Sequence, residues 1–249
     1  MTIVLVHGNP EVAAIWDDLI AALASDGVER SVVTLSPPGF GAPVPTGFGS
    51  TADEYAGWLV AELEAIGGPV HLVGHDWGAG HAINALVLRP DLMASVTVDV
   101  AGLFAPGYVW HDMAQLWRTP EVGEETVAGM AAVGRDERTA MFTGLGMSEG
   151  AAAACADAVA DMGPSILALY RSADEDILEA TGRAVASLEG RPPMHVIIAT
   201  DDHYAGGEPL GAVAAEMWGA TIHRLDGLGH WWMMQDPERG AAVLRTIVD

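Results

Sequence analysis

The sequence predicts an α/β fold: a trimmed, mainly parallel sheet of about six strands flanked by helices, with a helical segment inserted after the fourth strand. Three observations predict it. Short, near-continuous apolar runs alternate with longer segments of helical period. The runs are bounded by Gly, Pro or Asp. The alternation then stops between about Gly102 and Gly190, where alanine-rich, acidic, helix-like segments follow one another. At 249 residues the chain exceeds an average domain, yet single α/β domains reach this length.

The first strand is Thr2 to Val6, followed by a helix in which Ala13, Trp16, Ile20 and Leu23 share a face. Further strands are read at Ser31 to Leu35, Val70 to Val73, Ser95 to Val100, His195 to Ala199 and Thr221 to Leu225. Their continuous hydrophobicity suits strands buried on both faces of a parallel sheet. Pro106, Pro120 and Pro164 punctuate the inserted stretch, and Arg191-Pro192-Pro193 marks the return to the sheet. These boundaries predict a core domain from residues 1–102 and 191–249 and a helical cap from 103–190.

Half of the residues are apolar and 18% are charged, which suits a large buried core and excludes a disordered chain. The net charge of −23 repels phosphate backbones and anionic lipid head groups, so neither nucleic acid nor a membrane surface is an expected partner. All eleven cations are arginines. Without lysine, Schiff-base catalysis, the phosphate-loop lysine and Ser-x-x-Lys hydrolysis are excluded. Cys155 is the single cysteine, and the start Met-Thr-Ile-Val-Leu-Val-His has neither a basic region nor a long apolar run. A reduced, cytoplasmic setting is the expectation.

Val70 to Gly80 runs from a buried strand through Gly74-His75-Asp76-Trp77-Gly78 into a helix, a nucleophile elbow carrying aspartate. The plainer reading makes Asp76 a helix N-cap. Two further parts occur in chain order: Thr200-Asp201-Asp202 after one strand, and Gly227-Leu228-Gly229-His230 after the last. Asp76, Asp202 and His230 thus follow the order nucleophile, acid, histidine. Asp201 and Asp99 are the other acids in reach of that role. His7-Gly8-Asn9-Pro10 ends the first strand, where the Asn9 and Trp77 N–H groups can face a developing oxyanion. His71, His81, His195 and His223 are read as satisfied surface or core residues.

Gly146-Met147-Ser148-Glu149-Gly150 matches the serine nucleophile pattern but follows no clear buried strand, so Ser148 is read as a helix N-cap. No metal site is expected: there is no His-Glu-x-x-His, and His71 and His75 flank a strand without an evident third ligand. No cofactor is expected either, because Gly78-Ala79-Gly80 lacks the third glycine of a dinucleotide loop.

On these motifs the whole chain resembles the α/β-hydrolase superfamily, and Gly-His-Asp-Trp-Gly resembles its aspartate-nucleophile branch of epoxide hydrolases and haloalkane dehalogenases. Because the first strand begins at residue 2, a sheet trimmed of the two strands that commonly precede it is the expectation. The resemblance implies a helical cap over the site, a small apolar substrate, and water as the second reactant. An aspartate is ionised at neutral pH without a base. Attack on a tetrahedral carbon gives an ordinary ester, which His230, oriented by Asp202, hydrolyses by activating water.

The leaving group separates two readings. Gly163 to Arg171 resembles the cap segment in which epoxide hydrolases place a proton-donating tyrosine before arginine, here Tyr170. Asp112 to Pro120 resembles the earlier cap stretch, but Met113 stands where a second tyrosine is expected, leaving Tyr108, Trp110 or His111 to supply that donor. His-Gly-Asn-Pro is closer to haloalkane dehalogenases, where the counterparts of Asn9 and Trp77 bind the halide. The leading expectation is an epoxide hydrolase giving vicinal diols; the alternative is a haloalkane dehalogenase, and a distant one is a ligand-binding protein without turnover. Trp77, Trp110, His111, Met113 and Trp231 are the expected substrate contacts.

Overall fold

A computed structural model describes all residues, 1–249. Six strands form one sheet in the order β2-β1-β3-β4-β5-β6: β1 (Thr2–Val6), β2 (Ser31–Leu35), β3 (Val70–Gly74), β4 (Met93–Val98), β5 (Met194–Ala199) and β6 (Thr221–Leu225). Every pairing is parallel. Thr2 faces Ser31 and Ile3 faces His71, so β1 has neighbours on both sides. The chain leaves β1 toward β2 and returns to β3 on the opposite side. That reversal opens a crevice at the carboxyl ends of β1 and β3, where ligands of α/β sheets bind. Strands β1, β3 and β4 are almost wholly buried, as their composition predicts, whereas β2 and β6 close the edges and are half-exposed.

Twelve helices complete the chain. Helices α1 (Asp17–Ala24) and α12 (Pro237–Val248) pack together on one face of the sheet. Helices α2 (Ala52–Ile66), α3 (Trp77–Leu88), α9 (Glu175–Ala186) and α10 (Gly207–Trp218) pack on the other. The face of the first helical region is rotated from its expected position, because residues 13–16 form a 3-10 turn. Ile15, Trp16, Leu19, Ala22 and Leu23 are the buried residues there, whereas Ala13 and Ile20 are only partly covered.

The insertion contributes α4 (Asp112–Arg118), α5 (Val122–Ala132), α6 (Arg135–Gly144), α7 (Glu149–Ala158) and α8 (Gly163–Arg171). Helix α9 ties it to the sheet's flank: Trp218 Nε1 donates to Gly182 O at 3.0 Å. One continuous apolar cluster runs from the sheet into the insertion, so the two share a core. The short α11 (Trp232–Gln235) precedes α12. No single helix is long and apolar enough to cross a membrane.

Candidate active site

The turn between β3 and α3 depends on close backbone approach. Asp76 adopts φ 50° and ψ −125°, a positive-φ conformation that costs a non-glycine residue about 1–3 kcal/mol and clusters at functional sites. Two glycines make room. A Cβ on Gly78 would stand 2.1 Å from Val6 O, and one on Gly8 would stand 2.1 Å from Asp76 Oδ1. Asp76 occupies the N-cap position of α3 yet makes no capping hydrogen bond. Its Oδ1 instead accepts the Asn9 backbone N–H at 2.8 Å. The Trp77 N–H opens the first turn of α3, where an amide has no intrahelical acceptor.

His230 lies on the loop between β6 and α11. Its Nδ1 is 2.7 Å from Asp202 Oδ2, and its Nε2 is 3.8 Å from Asp76 Oδ2. Asp202 Oδ1 accepts the Tyr204 N–H at 2.9 Å, which fixes the turn after β5. Asp201 is exposed and its carboxylate meets only the adjacent Thr200 hydroxyl. Asp99 is buried against His75 instead. Of the three acids weighed from the sequence, Asp202 is therefore the one at His230.

Burial lifts Asp76 to about 6, with His230 and His75 pulling it down and Glu11 pushing it up. At neutral pH it is still mostly a carboxylate. Burial disfavours a charged His230, but Asp202 and Asp76 outweigh it and the imidazole ends above its ordinary value. Burial likewise works against an ionised Asp202, and His230 overrides it.

Behind Asp76 lies a buried polar cluster that sequence reasoning missed. His75 Nε2 is 3.0 Å from Glu11 Oε1, and His75 Nδ1 hydrogen-bonds Asp99 Oδ2. Glu11 also accepts the Trp231 indole N–H at 2.6 Å and the Gly8 N–H at 3.0 Å. Asp99 accepts the Trp232 indole at 2.9 Å and the Asp76 N–H at 3.1 Å. Burial opposes a charged His75, but the two carboxylates hold its pKa well above the ordinary value. Glu11 is driven down to about 2 despite its burial, chiefly by His75. Glu11, His75 and His230 bring ligand atoms within 4.8 Å of one another. Their chemistry suits an ion pair better than a metal, because an imidazolium donating from both nitrogens has no lone pair to offer.

A cavity of about 440 Å³ opens over Asp76 between the sheet and the insertion. Asn9, Asp76, His230 and Trp231 line it from the core; His111, Met113, Trp117 and Tyr170 line it from the insertion. Tyr170 is buried, and its hydroxyl accepts from Asn9 Nδ2 at 3.4 Å. The Trp77 ring meets Tyr170 edge-on at 5.3 Å. Burial and the charge of Asp76 hold the phenol's pKa well above its ordinary value, against hydrogen bonds from Asn9 and Trp77. Tyr170 therefore keeps its proton.

Among the expected substrate contacts, His111, Met113 and Trp231 line the cavity. Trp77 and Trp110 do not. Trp77 stacks on His81 and Trp110, and the Trp110 indole N–H is spent on Ala173 O at 3.2 Å. These two rings form the wall behind Tyr170. Tyr204, not foreseen from the sequence, also lines the cavity, its ring 5.0 Å from that of His230.

Of the three candidates for a second donor, Trp110 is engaged and Tyr108 lies outside the cavity lining with a buried, unpartnered hydroxyl. His111 Nδ1 accepts the Ala114 N–H at 3.3 Å, which assigns the proton of the neutral ring to Nε2. The other motifs fall outside the site. Ser148 takes the N-cap position of α7 without capping it, its hydroxyl facing Met234 Sδ at 3.5 Å. His71 pairs with Ser95 and His195 with His223. His81 departs from the satisfied state expected of it: it is buried with both ring nitrogens unpartnered.

Residues 3–243 match the alpha/beta hydrolase family. An epoxide hydrolase of Caballeronia sordidicola is 35% identical over 94 residues, which cover 36% of this chain and only 28% of that protein. Among solved structures, E-2-(acetamidomethylene)succinate hydrolase superposes with a TM-score of 0.74 at 16% identity, over 100% of this chain and 91% of its own. The haloalkane dehalogenase DbeA from Bradyrhizobium elkani USDA94 does so with a TM-score of 0.68 at 20% identity, over 99% and 89%. With a parallel six-stranded sheet and a family match along nearly its whole length, this chain belongs to the alpha/beta hydrolase family.

Proposed function

We propose that this protein is a cofactor-independent hydrolase of small apolar alkyl electrophiles, acting through an ester of Asp76, and that its substrates are epoxides opened to vicinal diols. The observation that carries this reading is the Tyr170 hydroxyl. It is buried beside Asp76, keeps its proton, and accepts from Asn9, so its own hydrogen is left to donate. In the proposed first step Asp76 attacks one epoxide carbon, the carbon–oxygen bond breaks, and Tyr170 gives its proton to the leaving oxygen, with His111 Nε2–H as a second donor.

In the second step His230 takes a proton from water, whose oxygen attacks the ester carbonyl of Asp76; the acyl carbon–oxygen bond then breaks, the diol leaves, the Asp76 carboxylate is restored, and the proton on His230 returns to the Tyr170 phenolate. The Asn9 and Trp77 N–H groups face the oxyanion. Once Asp76 is esterified its charge is gone, and so is one of the influences that raise His230. The imidazole then loses its proton more easily, as a general base must. The insertion acts as a cap that excludes bulk water from the ester.

Haloalkane dehalogenation is the second reading, favoured by the Asn9 and Trp77 pair beside Asp76. Asn9 Nδ2 already gives one of its two hydrogens to the Tyr170 hydroxyl at 3.4 Å, which weakens its hold on a halide. Product analysis with 1,2-epoxyalkanes and 1-bromoalkanes tests the choice. Diol without bromide release supports the epoxide reading, and bromide release without diol overturns it.

A further inference from the structure

Three of the eleven arginines, Arg138, Arg191 and Arg239, have no carboxylate within 4.0 Å. In a chain of net charge −23 this is unusual company for a cation. Only Arg138 among them lines the cavity above Asp76. It stands on α6 with Met141 and Phe142, followed by Leu145 at the helix C-cap, and all three also line the cavity. This i, i+3, i+4, i+7 spacing puts all four on one helix face. An apolar stripe that begins with an arginine thus forms the wall of an otherwise largely apolar chamber.

The guanidinium is held in place by neutral groups. Its Nε donates to Ala156 O at 2.9 Å, and one terminal nitrogen donates to Val133 O at 2.7 Å and Ala131 O at 3.2 Å. The other terminal nitrogen makes no hydrogen bond within the chain. Asp157 feels Arg138, but only at longer range, and its carboxylate is bound by Arg135. Three carbonyls fix the plane of the guanidinium without cancelling its charge, and a fixed plane loses little freedom when it binds a carboxylate.

We propose that Arg138 is a specificity-determining residue that binds a carboxylate carried by the substrate, remote from the carbon that Asp76 attacks. The substrate class is then an electrophile with an apolar body and an anionic end: the body fills the space lined by Met130, Val133, Met141 and Phe142, and the anion meets the free edge of Arg138. A cavity of about 440 Å³ lies within the size range of pockets for such ligands. This inference rests on the reading of Asp76 as nucleophile in the same cavity, but binding at Arg138 requires no chemistry and is measured without it.

The test compares saturated straight-chain carboxylates with their methyl esters as unreactive ligands, binding being followed by the fluorescence of Trp117 and Trp231. The wild-type protein is expected to bind the carboxylates at least about tenfold more tightly, a difference of roughly 1.4 kcal/mol. Arg138→Gln is expected to abolish that preference while leaving ester affinity within about twofold, and Arg138→Lys to keep part of it. A purely structural role in joining α5, α6 and α7 would weaken both ligands alike.

Equal affinities in the wild-type protein overturn the proposal even if the Gln variant fails to fold. A preference that survives in Arg138→Gln but vanishes in His230→Gln also overturns it, by placing the anion at the other end of the cavity. The reading of Asp76 is judged separately, by turnover of neutral epoxides, which does not involve Arg138.

Discussion

His75 Nε2 stands 3.0 Å from Glu11 Oε1, and both side chains are wholly buried. A buried cation that loses one partner is strongly destabilised. Glu11→Gln removes the charge that faces His75 and keeps one oxygen, enough for only one of the two donors, Trp231 at Oε1 and Gly8 at Oε2. The expected loss is about 3–5 kcal/mol in denaturant unfolding near neutral pH.

The sign of its pH dependence follows from Glu11, held at about 2 against an ordinary 4.5. Its contribution is fully present above 4.5 and is lost as pH falls toward 2. The gap between wild-type protein and variant should therefore narrow in acid. A gap that stays constant from neutral pH to about 2 would show that Glu11 does not pair in its ionised form.

Burial raises Asp76 to about 6, so the proposed mechanism predicts that it sets the acid limb of activity. kcat/KM should fall as pH drops through about 6, because the protonated carboxyl does not attack. Glu11 is one of the groups that push Asp76 up, so the limb should move to lower pH in Glu11→Gln. A pH–rate profile on both proteins checks direction as well as position, and an upward move contradicts the assignment.

Tyr170→Phe and His111→Leu separate the two leaving-group readings. Loss of a general acid lowers epoxide opening by about 10²–10⁴-fold for Tyr170. The effect at His111, the second donor, should lie toward the lower end of that range. Steady-state kcat on epoxides reports both, and undiminished diol formation in Tyr170→Phe rules out its role as the acid.

Two glycines predict opposite effects of the same substitution. At Gly78 an added Cβ would meet the backbone oxygen of Val6 at 2.1 Å, and neither side of that contact can yield. Gly78→Ala should cost about 3 kcal/mol or more. Gly57 lies exposed within α2 with nothing inside 4 Å of an added Cβ. Gly57→Ala should stabilise by about 0.4–1 kcal/mol. Thermal unfolding of the pair tests whether the elbow is as tightly closed as described.

The strand pattern was legible because strands of a parallel sheet are written as short apolar runs: Thr2–Val6 appears where its run places it, and so do Ser31–Leu35 and Thr221–Leu225, although these two are half-exposed edges. Strand β4 ends two residues early, at Val98, because Asp99 turns its carboxylate to His75 and the chain enters a 3-10 turn at Ala101. Asp76, Asp202 and His230 were legible through the glycine loops and strand ends that carry them.

Glu11 and His75 sit within the same motifs, yet nothing in the sequence distinguishes a buried ion pair from two solvated charges; only packing does. Trp77 and Trp110 were misplaced for a related reason. An aromatic side chain beside a nucleophile can face the substrate or support the residue that does, and here both support Tyr170. The stripe of Arg138, Met141, Phe142 and Leu145 was present as a helical period but was hidden in a segment read only as acidic helix.

The central claim is the ester on Asp76. His230→Gln should still allow alkylation but block hydrolysis, so incubation with a 1,2-epoxyalkane followed by intact-mass measurement and peptide mapping tests it directly. The account predicts a mass gain equal to the whole epoxide, located on the peptide that contains Asp76 and absent in Asp76→Asn. No adduct in His230→Gln while the wild-type protein turns the epoxide over, or an adduct on any other peptide, would contradict it.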